Sequence, residues 1–400
     1  MSRRWRFVFP ALVLVASLLG VWHTLPRLSA MAFIVRVAKP EGALARLARL
    51  WAGEVSVAPV PAIPTRHGSV PARSYRPAGA IRRTTLLVPG VHMAGIDEER
   101  LVGLARELAA SGLAVLTVAP PALLRYRVAT ESVDELEDVI AWASRRPELA
   151  PDGKVGILGF SFSGGLALVA AGRPAVRERV AFALSFGGHA DLARVLRYLC
   201  GESGSPPPAT TGARALVFGA EHIHIPRPND YGGVVALLNL ADRLVPAAQV
   251  PPLQDAITRF LQASSLERVD PARAQSLFAQ ARRQGEDLAE PGRTLMRYVS
   301  DREVTKLGES LAPLLATLAL PADLSPERAS PPAAPVFLLH GADDAVVPAS
   351  ELLWLARDLG SRTRARAFAT RLLSHAEVNP RAALVEMWQL AGFWQDVLVR

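Results

Sequence analysis

Gly159-Phe160-Ser161-Phe162-Ser163-Gly164-Gly165 follows the apolar run Val155 to Leu158 and precedes the helix-like stretch Leu166 to Gly172. A buried strand ending in glycine, then a serine, then small residues before a helix, lets the backbone turn sharply and leaves the hydroxyl facing outward. The spacing is that of G-x-S-x-G with one change. Ser163 stands where the second glycine is usual, and the glycines move to Gly164 and Gly165. Alone, such a run is equally a structural turn, so its meaning depends on partners elsewhere in the chain.

Around this turn, Thr84 to Val88, Leu113 to Val118, Lys154 to Leu158 and Val180 to Phe186 read as short buried strands. Glu98 to Ala110, Ser132 to Ser144 and the stretch after Ser161 have helical periodicity. Strands alternating with helices predict an α/β fold, a mostly parallel sheet covered on both faces, with functional residues at the carboxyl ends of the strands. Ser69 to Tyr75 reads as an earlier strand, and Pro59 to Pro64 as an extended linker or edge. From about Gly187 to Pro335 the alternation breaks into helical pattern cut by prolines, with Ala215 to Phe218 as a possible strand. The sheet pattern resumes at Val336 to Leu339, followed by a helix at Ser350 to Leu359, a strand around Ala365 to Ala369 and a last helix from Arg381 towards Leu398. The expected organisation is a signal anchor or signal peptide over 1–25, an amphipathic and linker segment over 26–68, a core over 69–186 and 336–400, and a helical cap inserted over 187–335.

Beyond the insertion, His340-Gly341-Ala342-Asp343-Asp344-Ala345-Val346-Val347-Pro348 puts an acidic turn directly after a buried strand, and Leu373-Ser374-His375-Ala376-Glu377 puts a histidine between the final strand and the last helix. A serine hydroxyl is a poor nucleophile at neutral pH. It needs a neutral imidazole to take its proton and a carboxylate to orient that imidazole. Ser161, Asp344 and His375 supply these groups in the order serine, acid, histidine. The two aspartates could instead cap the following helix. His340 and His92 read as turn residues, His222 and His224 as a pair without an acid or cysteine at metal-ligand spacing. Arg227, Asp230 and Tyr231 are candidates for pocket lining within the insertion.

With these residues in order, the chain resembles the α/β-hydrolases from about Ser69 to the C-terminus, the insertion apart. The resemblance implies Ser161 as nucleophile, Asp344 as acid and His375 as base. Asp344 is preferred over Asp343 because the family's H-G-x-x-D-x-x-V-P spacing lands on it, with Val347-Pro348 in register. The family's oxyanion turn is usually His-Gly; here it is Pro89-Gly90-Val91-His92, so the backbone N–H groups of Val91 and Phe162 become the expected oxyanion donors. The implied activity is acyl transfer on a carboxylic ester, without metal or organic cofactor. Apolar cap positions Leu237, Leu238, Leu253 and Phe260 suggest a lipid-like group on that ester. Acyltransferase, amidase and peptidase chemistry share the machinery, and a non-catalytic, membrane-tethered binding protein of the same fold is the reading from another class.

The rest of the composition constrains partners. The chain has 400 residues, half of them hydrophobic, enough for a large core. Its charge of +8 is spread without a long basic block beyond the N-terminus, which fits a solvated basic surface or attraction to anionic lipid or an acidic ligand, and no nucleic-acid module is present. A single cysteine, Cys200, excludes an intrachain disulfide. Ser2-Arg3-Arg4-Trp5-Arg6 followed by the uncharged run Phe7 to Trp22 has the form of an export signal or anchor, with the body outside the cytoplasm, or secreted if the segment is cleaved. Ala30-Met31-Ala32 has the small-x-small form of a cleavage site but lies far from the apolar run, which favours an anchor. Ala43 to Trp51 has the periodicity of an amphipathic helix close to a membrane or packed on the body.

Overall fold

The computed structural model describes residues 24–38, 42–207, 216–267, 269–372 and 380–400. Its centre is a nine-stranded sheet: β1 (Val55–Thr65), β2 (Gly68–Pro77), β3 (Thr84–Val88), β4 (Ala114–Val118), β5 (Val155–Phe160), β6 (Val180–Phe186), β7 (Leu216–Phe218), β8 (Val336–Gly341) and β9 (Ala365–Thr370). The spatial order is β1-β2-β4-β3-β5-β6-β8-β9-β7. β1, β2 and β4 are joined antiparallel and every other pairing is parallel. The expectation of a mostly parallel α/β sheet is met.

Side chains alternate between two cores, as a period of two requires. Leu86, Ile157, Ala183, Leu338 and Ala367 face one core, and Leu87, Leu158, Leu184, Leu339 and Phe368 the other. On the first face lie α5 (Thr130–Ser144), α6 (Phe162–Gly172) and α13 (Ser350–Arg362), with the short α4 (Pro121–Leu124) at its margin. On the second lie α3 (Glu99–Ala110), α14 (Pro380–Leu398) and a helix α1 over 24–37. Aromatic contacts stitch this layer together. Phe337 meets Phe393 at 5.7 Å between ring centres, and Phe33 of α1 meets Trp394 at 4.8 Å. A second short helix, α2 (Ala43–Arg49), follows α1.

Two features of the 26–68 segment go beyond the amphipathic and linker segment expected there, and of the two readings of Pro59 to Pro64 the edge is the one observed. Helix α1 is packed, with Ala30 and Phe33 buried under α14. Val55–Thr65 is a full strand at the sheet edge, despite Pro59, Pro61 and Pro64. An edge strand has one hydrogen-bonding side free of the ladder, so prolines are tolerated there, and the pairing with β2 shifts register between Val60 and Ile63, around Pro61. The N-terminal membrane segment over 1–25 falls almost wholly outside the described residues. Among the described residues no helix is long and apolar enough to cross a membrane.

The insertion after β6 carries α7 (Leu192–Leu199), α8 (Asp230–Leu244), α9 (Val250–Leu266), α10 (Pro271–Glu286), α11 (Gly292–Ser300) and α12 (Val304–Thr317). It also supplies β7, which pairs with β9 and extends the main sheet. Leu237, Leu238, Leu253 and Phe260 are buried in the core that the cap helices share, so they hold the cap together instead of lining an open apolar pocket.

A buried carboxylate fixes where the insertion leaves the sheet. Glu351 of α13 is fully buried, and its Oε2 accepts from the N–H groups of Ala190 at 2.8 Å and Asp191 at 3.0 Å, just before α7. Arg194 closes the group by pairing with Glu351 and Glu327 while lying over the Trp354 ring. Removing one member of such a cluster leaves a buried charge without its counterpart. Glu351→Ala should therefore cost about 3 kcal/mol of unfolding free energy in urea denaturation, with Glu351→Gln costing less because the acceptor oxygen survives.

Candidate active site

Ser161 lies between the last residue of β5 and the first of α6, with φ 52° and ψ −133°. A non-glycine residue in that region costs about 1–3 kcal/mol and persists only where its surroundings hold it. The hold is visible on both sides. Ser161 donates its N–H to the Phe186 carbonyl at 2.8 Å, at the end of the neighbouring strand, and its own carbonyl accepts from Gly164 at 2.8 Å. Gly159 cannot be replaced, because a Cβ there would fall 2.2 Å from the Ser163 carbonyl oxygen.

Ser163 explains the departure from the usual glycine. Its hydroxyl donates to the Phe160 carbonyl at 2.7 Å, with the Val88 carbonyl at 3.2 Å, and accepts from the Phe160 N–H at 2.9 Å. It is fully buried and ties the first turn of α6 to the ends of β3 and β5. The two glycines that follow let α6 approach the sheet. At Gly164 a Cβ would meet the Ser185 hydroxyl at 2.6 Å, and at Gly165 it would meet the His189 ring at 2.4 Å.

The turn 89–92 passes directly beside the serine. A Cβ on Gly90 would lie 3.5 Å from the Ser161 Cβ. Val91 is buried, and its carbonyl accepts from the hydroxyl of Tyr231 on α8 at 2.8 Å. That contact across from the cap was missed by sequence reasoning, which placed Tyr231 only among pocket candidates. Burial pushes the Tyr231 hydroxyl well above its ordinary value, and it packs edge-on against Tyr126 at 6.4 Å. Phe162 opens α6, where a backbone N–H has no intrahelical acceptor. His92 is a turn residue whose Nδ1 accepts from the Ala94 N–H at 3.2 Å, and burial lowers its pKa.

Asp344 sits in the loop after β8. Its Oδ1 accepts from the N–H groups of Val346 at 2.8 Å and Val347 at 3.1 Å, which orients the carboxylate. Its Oδ2 lies 3.5 Å from the position of a Cβ on Gly187, the residue after Phe186. Two consecutive residues at the end of β6 thus touch the two groups: Phe186 binds Ser161 and Gly187 flanks Asp344. Asp343 is exposed. His340 is buried, its Nε2 2.9 Å from the Val347 carbonyl and 3.7 Å from Asp344 Oδ2, so it braces the acidic loop.

His375 lies outside the described residues. The chain that leads to it leaves β9 beside the acidic loop, since the Ala342 N–H donates to the Thr370 carbonyl at 2.9 Å. Glu386 of α14 anchors that exit, accepting from the Thr370 hydroxyl at 2.6 Å and the Arg371 N–H at 2.9 Å. Nothing in the sequence pattern marks this carboxylate. In the insertion, Asp230 pairs with Arg302 at 3.2 Å, Arg227 is exposed, and His222 and His224 contact Glu221 and the Ala342 carbonyl separately.

A mostly parallel sheet that presents a serine on a strained strand-to-helix turn at its carboxyl edge, with an acidic loop later in the chain two strands away across the sheet, decides the fold. It is the α/β-hydrolase fold. No protein-family model and no curated protein matches the sequence. Solved structures similar to this chain include a bacterial brefeldin A esterase described as a homologue of human hormone-sensitive lipase, at 15% identity, covering 87% of this chain and 79% of that one, with a TM-score of 0.42. An esterase of Pyrobaculum calidifontis is similar at 18% identity, 89% and 90% coverage and a TM-score of 0.41. A carboxyl esterase of the fungus Tuber melanosporum is similar at 14% identity, 86% and 88% coverage and a TM-score of 0.43.

Because Ser163 bonds to both sides of the turn, restoring the usual motif should harm this hydrolase fold. Ser163→Gly is expected to lower unfolding free energy by about 1–2 kcal/mol in chemical denaturation. A variant as stable as the parent would show that the hydroxyl contributes nothing.

Proposed function

We propose that the chain is a serine hydrolase acting on a carboxylic ester, with Ser161 as nucleophile, His375 as base and Asp344 as the acid that orients it. The observation that carries this reading is the strained backbone of Ser161 beside the 89–92 turn, with Asp344 held across the end of β6. Strain of this kind persists only where buried contacts hold it, and here it falls on a residue that carries a hydroxyl at the end of a strand. His375 would take the Ser161 proton as the oxygen attacks the ester carbonyl, then return it to the leaving alcohol. Water activated by the same imidazole would release the acyl group. The oxyanion would be met by the N–H groups of Val91 and Phe162, donors worth about 3 kcal/mol each in the transition state.

Labelling with a fluorophosphonate probe tests the assignment. The wild type should react and Ser161→Ala should not, with ester turnover falling at least about a thousandfold. Equal labelling of both proteins places the nucleophile elsewhere. If Ser161 labels but no ester turns over, acyl transfer to an acceptor other than water, or amide cleavage, becomes the better reading. If the wild type does not label, the fold serves as a binding protein.

The Tyr231 contact adds a second expectation. Losing its hydroxyl frees the Val91 carbonyl and loosens the turn that bears one oxyanion donor. Tyr231→Phe should lower kcat about tenfold with little change in KM, because the loss acts on the transition state. A rise in KM at constant kcat would instead mark Tyr231 as a substrate contact.

A membrane location belongs to the same proposal. Arg3, Arg4 and Arg6 before the uncharged run Phe7 to Trp22 would hold the N-terminus at the cytoplasmic side and the body outside. Retention of this segment is supported by Ala30-Met31-Ala32, a cleavage-like motif, lying inside the packed helix α1 with Ala30 fully buried.

A further inference from the structure

Helix α2 is inside out for a helix on a water-facing protein. Its small residues Ala45 and Ala48 face the body, while Leu44, Leu47 and Leu50 at its end face solvent, Leu50 being 80% exposed. A helix that packs for stability buries its large apolar side chains and exposes the rest. The first turns of α14 repeat the inversion. There the carboxylate of Glu386 is buried and Leu384 and Val385 point outward, Leu384 being 69% exposed.

These helices belong to one layer. Arg36, near the end of α1, donates to the Ala48 carbonyl of α2 at 3.2 Å and pairs with Glu107 of α3 at 2.6 Å. Arg27, near its start, lies over the Trp388 ring of α14 at 4.8 Å. Ten of the fourteen large apolar side chains exposed among the described residues lie on α1, on α2 and the two residues after it, or on the first turns of α14. The charge of the same stretch is one-sided. Residues 24–53 carry Arg27, Arg36, Lys39, Arg46 and Arg49 against the single acid Glu41; Arg36 is buried against Glu107, while Arg46 and Arg49 of α2 are exposed.

We propose that the outer face of α1, α2 and the start of α14 rests on an anionic phospholipid surface, with its leucines among the acyl chains and its arginines at the headgroups. Exposed apolar area flanked by arginine is the composition that binds such an interface. Sequence continuity supports lipid as the occupant, because the uncharged run Phe7 to Trp22 lies only a few residues upstream of α1. The contact differs from a tether through that run, since it brings the folded body itself to the surface. It also gives the candidate site an orientation. Helix α14 follows the connection that carries His375, so the part of the docking face at its start borders the carboxyl edge of the sheet, while α2, tied through Arg36 to Glu107 and Ser111, lies by the turn into β4 at the opposite edge.

The test uses the full chain in a Cys200→Ala background, with an environment-sensitive fluorophore on Leu50→Cys, on Val385→Cys and, as a control on the cap, on Arg283→Cys. Vesicles of phosphatidylcholine with about one third phosphatidylglycerol should shift the first two labels to the blue and shield them from iodide, and should leave the cap label unchanged. Phosphatidylcholine alone or raised salt should weaken the response. The proposal fails if labels at 50 and 385 stay in water while the protein floats with the vesicles, which would mean attachment through residues 1–23 only. It fails equally if no vesicle binding occurs, or if raising protein concentration without lipid gives the same shift, which would make a second copy the occupant. None of these outcomes depends on ester turnover, so the ester reading stands or falls separately.

Discussion

The close approach of α6 to the ends of β5 and β6 is the constraint on which the site depends. Gly159, Gly164, Gly165 and Gly188 all lie where a Cβ would collide with backbone or with a buried side chain, at 2.1–2.6 Å. A helix pressed so tightly against a strand end cannot be entered by a relaxed loop. The chain must reverse within one residue, and that residue is Ser161 with its positive φ. Ser163 reinforces the same junction with its hydroxyl, in place of a glycine that would only leave room. The strain at Ser161 is thus held by buried contacts on both sides of the turn, so the serine is presented by packing that would exist without any substrate.

The partners are placed by the same sheet. β6 lies between β5 and β8, so its last residues reach both the serine turn and the acidic loop. The Phe186 carbonyl receives the Ser161 N–H, and Gly187 makes space for the Asp344 carboxylate. Parallel strands end at one edge, which is why groups nearly two hundred residues apart in sequence arrive at one place. Each of them is then fixed locally: Asp344 by two backbone N–H groups, the exit of β9 by Glu386.

Much of this was legible because buried parallel strands are short, apolar and bounded by turns, as Thr84–Val88 and Val180–Phe186 are to the residue. The serine turn and the acidic loop were legible because each directly follows a short, buried apolar strand, β5 and β8. Other features depend on distance that sequence does not carry. The prolines of β1 left two readings open, a linker or an edge, and only the assembled sheet shows that it is the edge. The Tyr231 and Glu386 contacts join segments 140 and 16 residues apart with no local pattern to announce them. Leu237 and Phe260 misled for the opposite reason. Apolar periodicity reports that a residue is buried, and a cap whose core is continuous with that of the body satisfies that as well as a substrate pocket does.

The cap therefore has two separable duties. Its helices α8 and α9 share a buried apolar interior, and α8 also grips the body through polar contacts at its inner side. Asn239 donates to the Tyr126 carbonyl at 2.9 Å and accepts from the Val128 N–H at 3.2 Å, while Tyr231 reaches Val91 from the start of the same helix. Tyr231 and Asn239 are eight residues apart, close to two helical turns, so they lie along one side of α8. Any rotation of α8 would break both grips together. The position of this one helix and the shape of the 89–92 turn are consequently coupled, so the turn that passes beside Ser161 keeps its form only while α8 stays docked on the body.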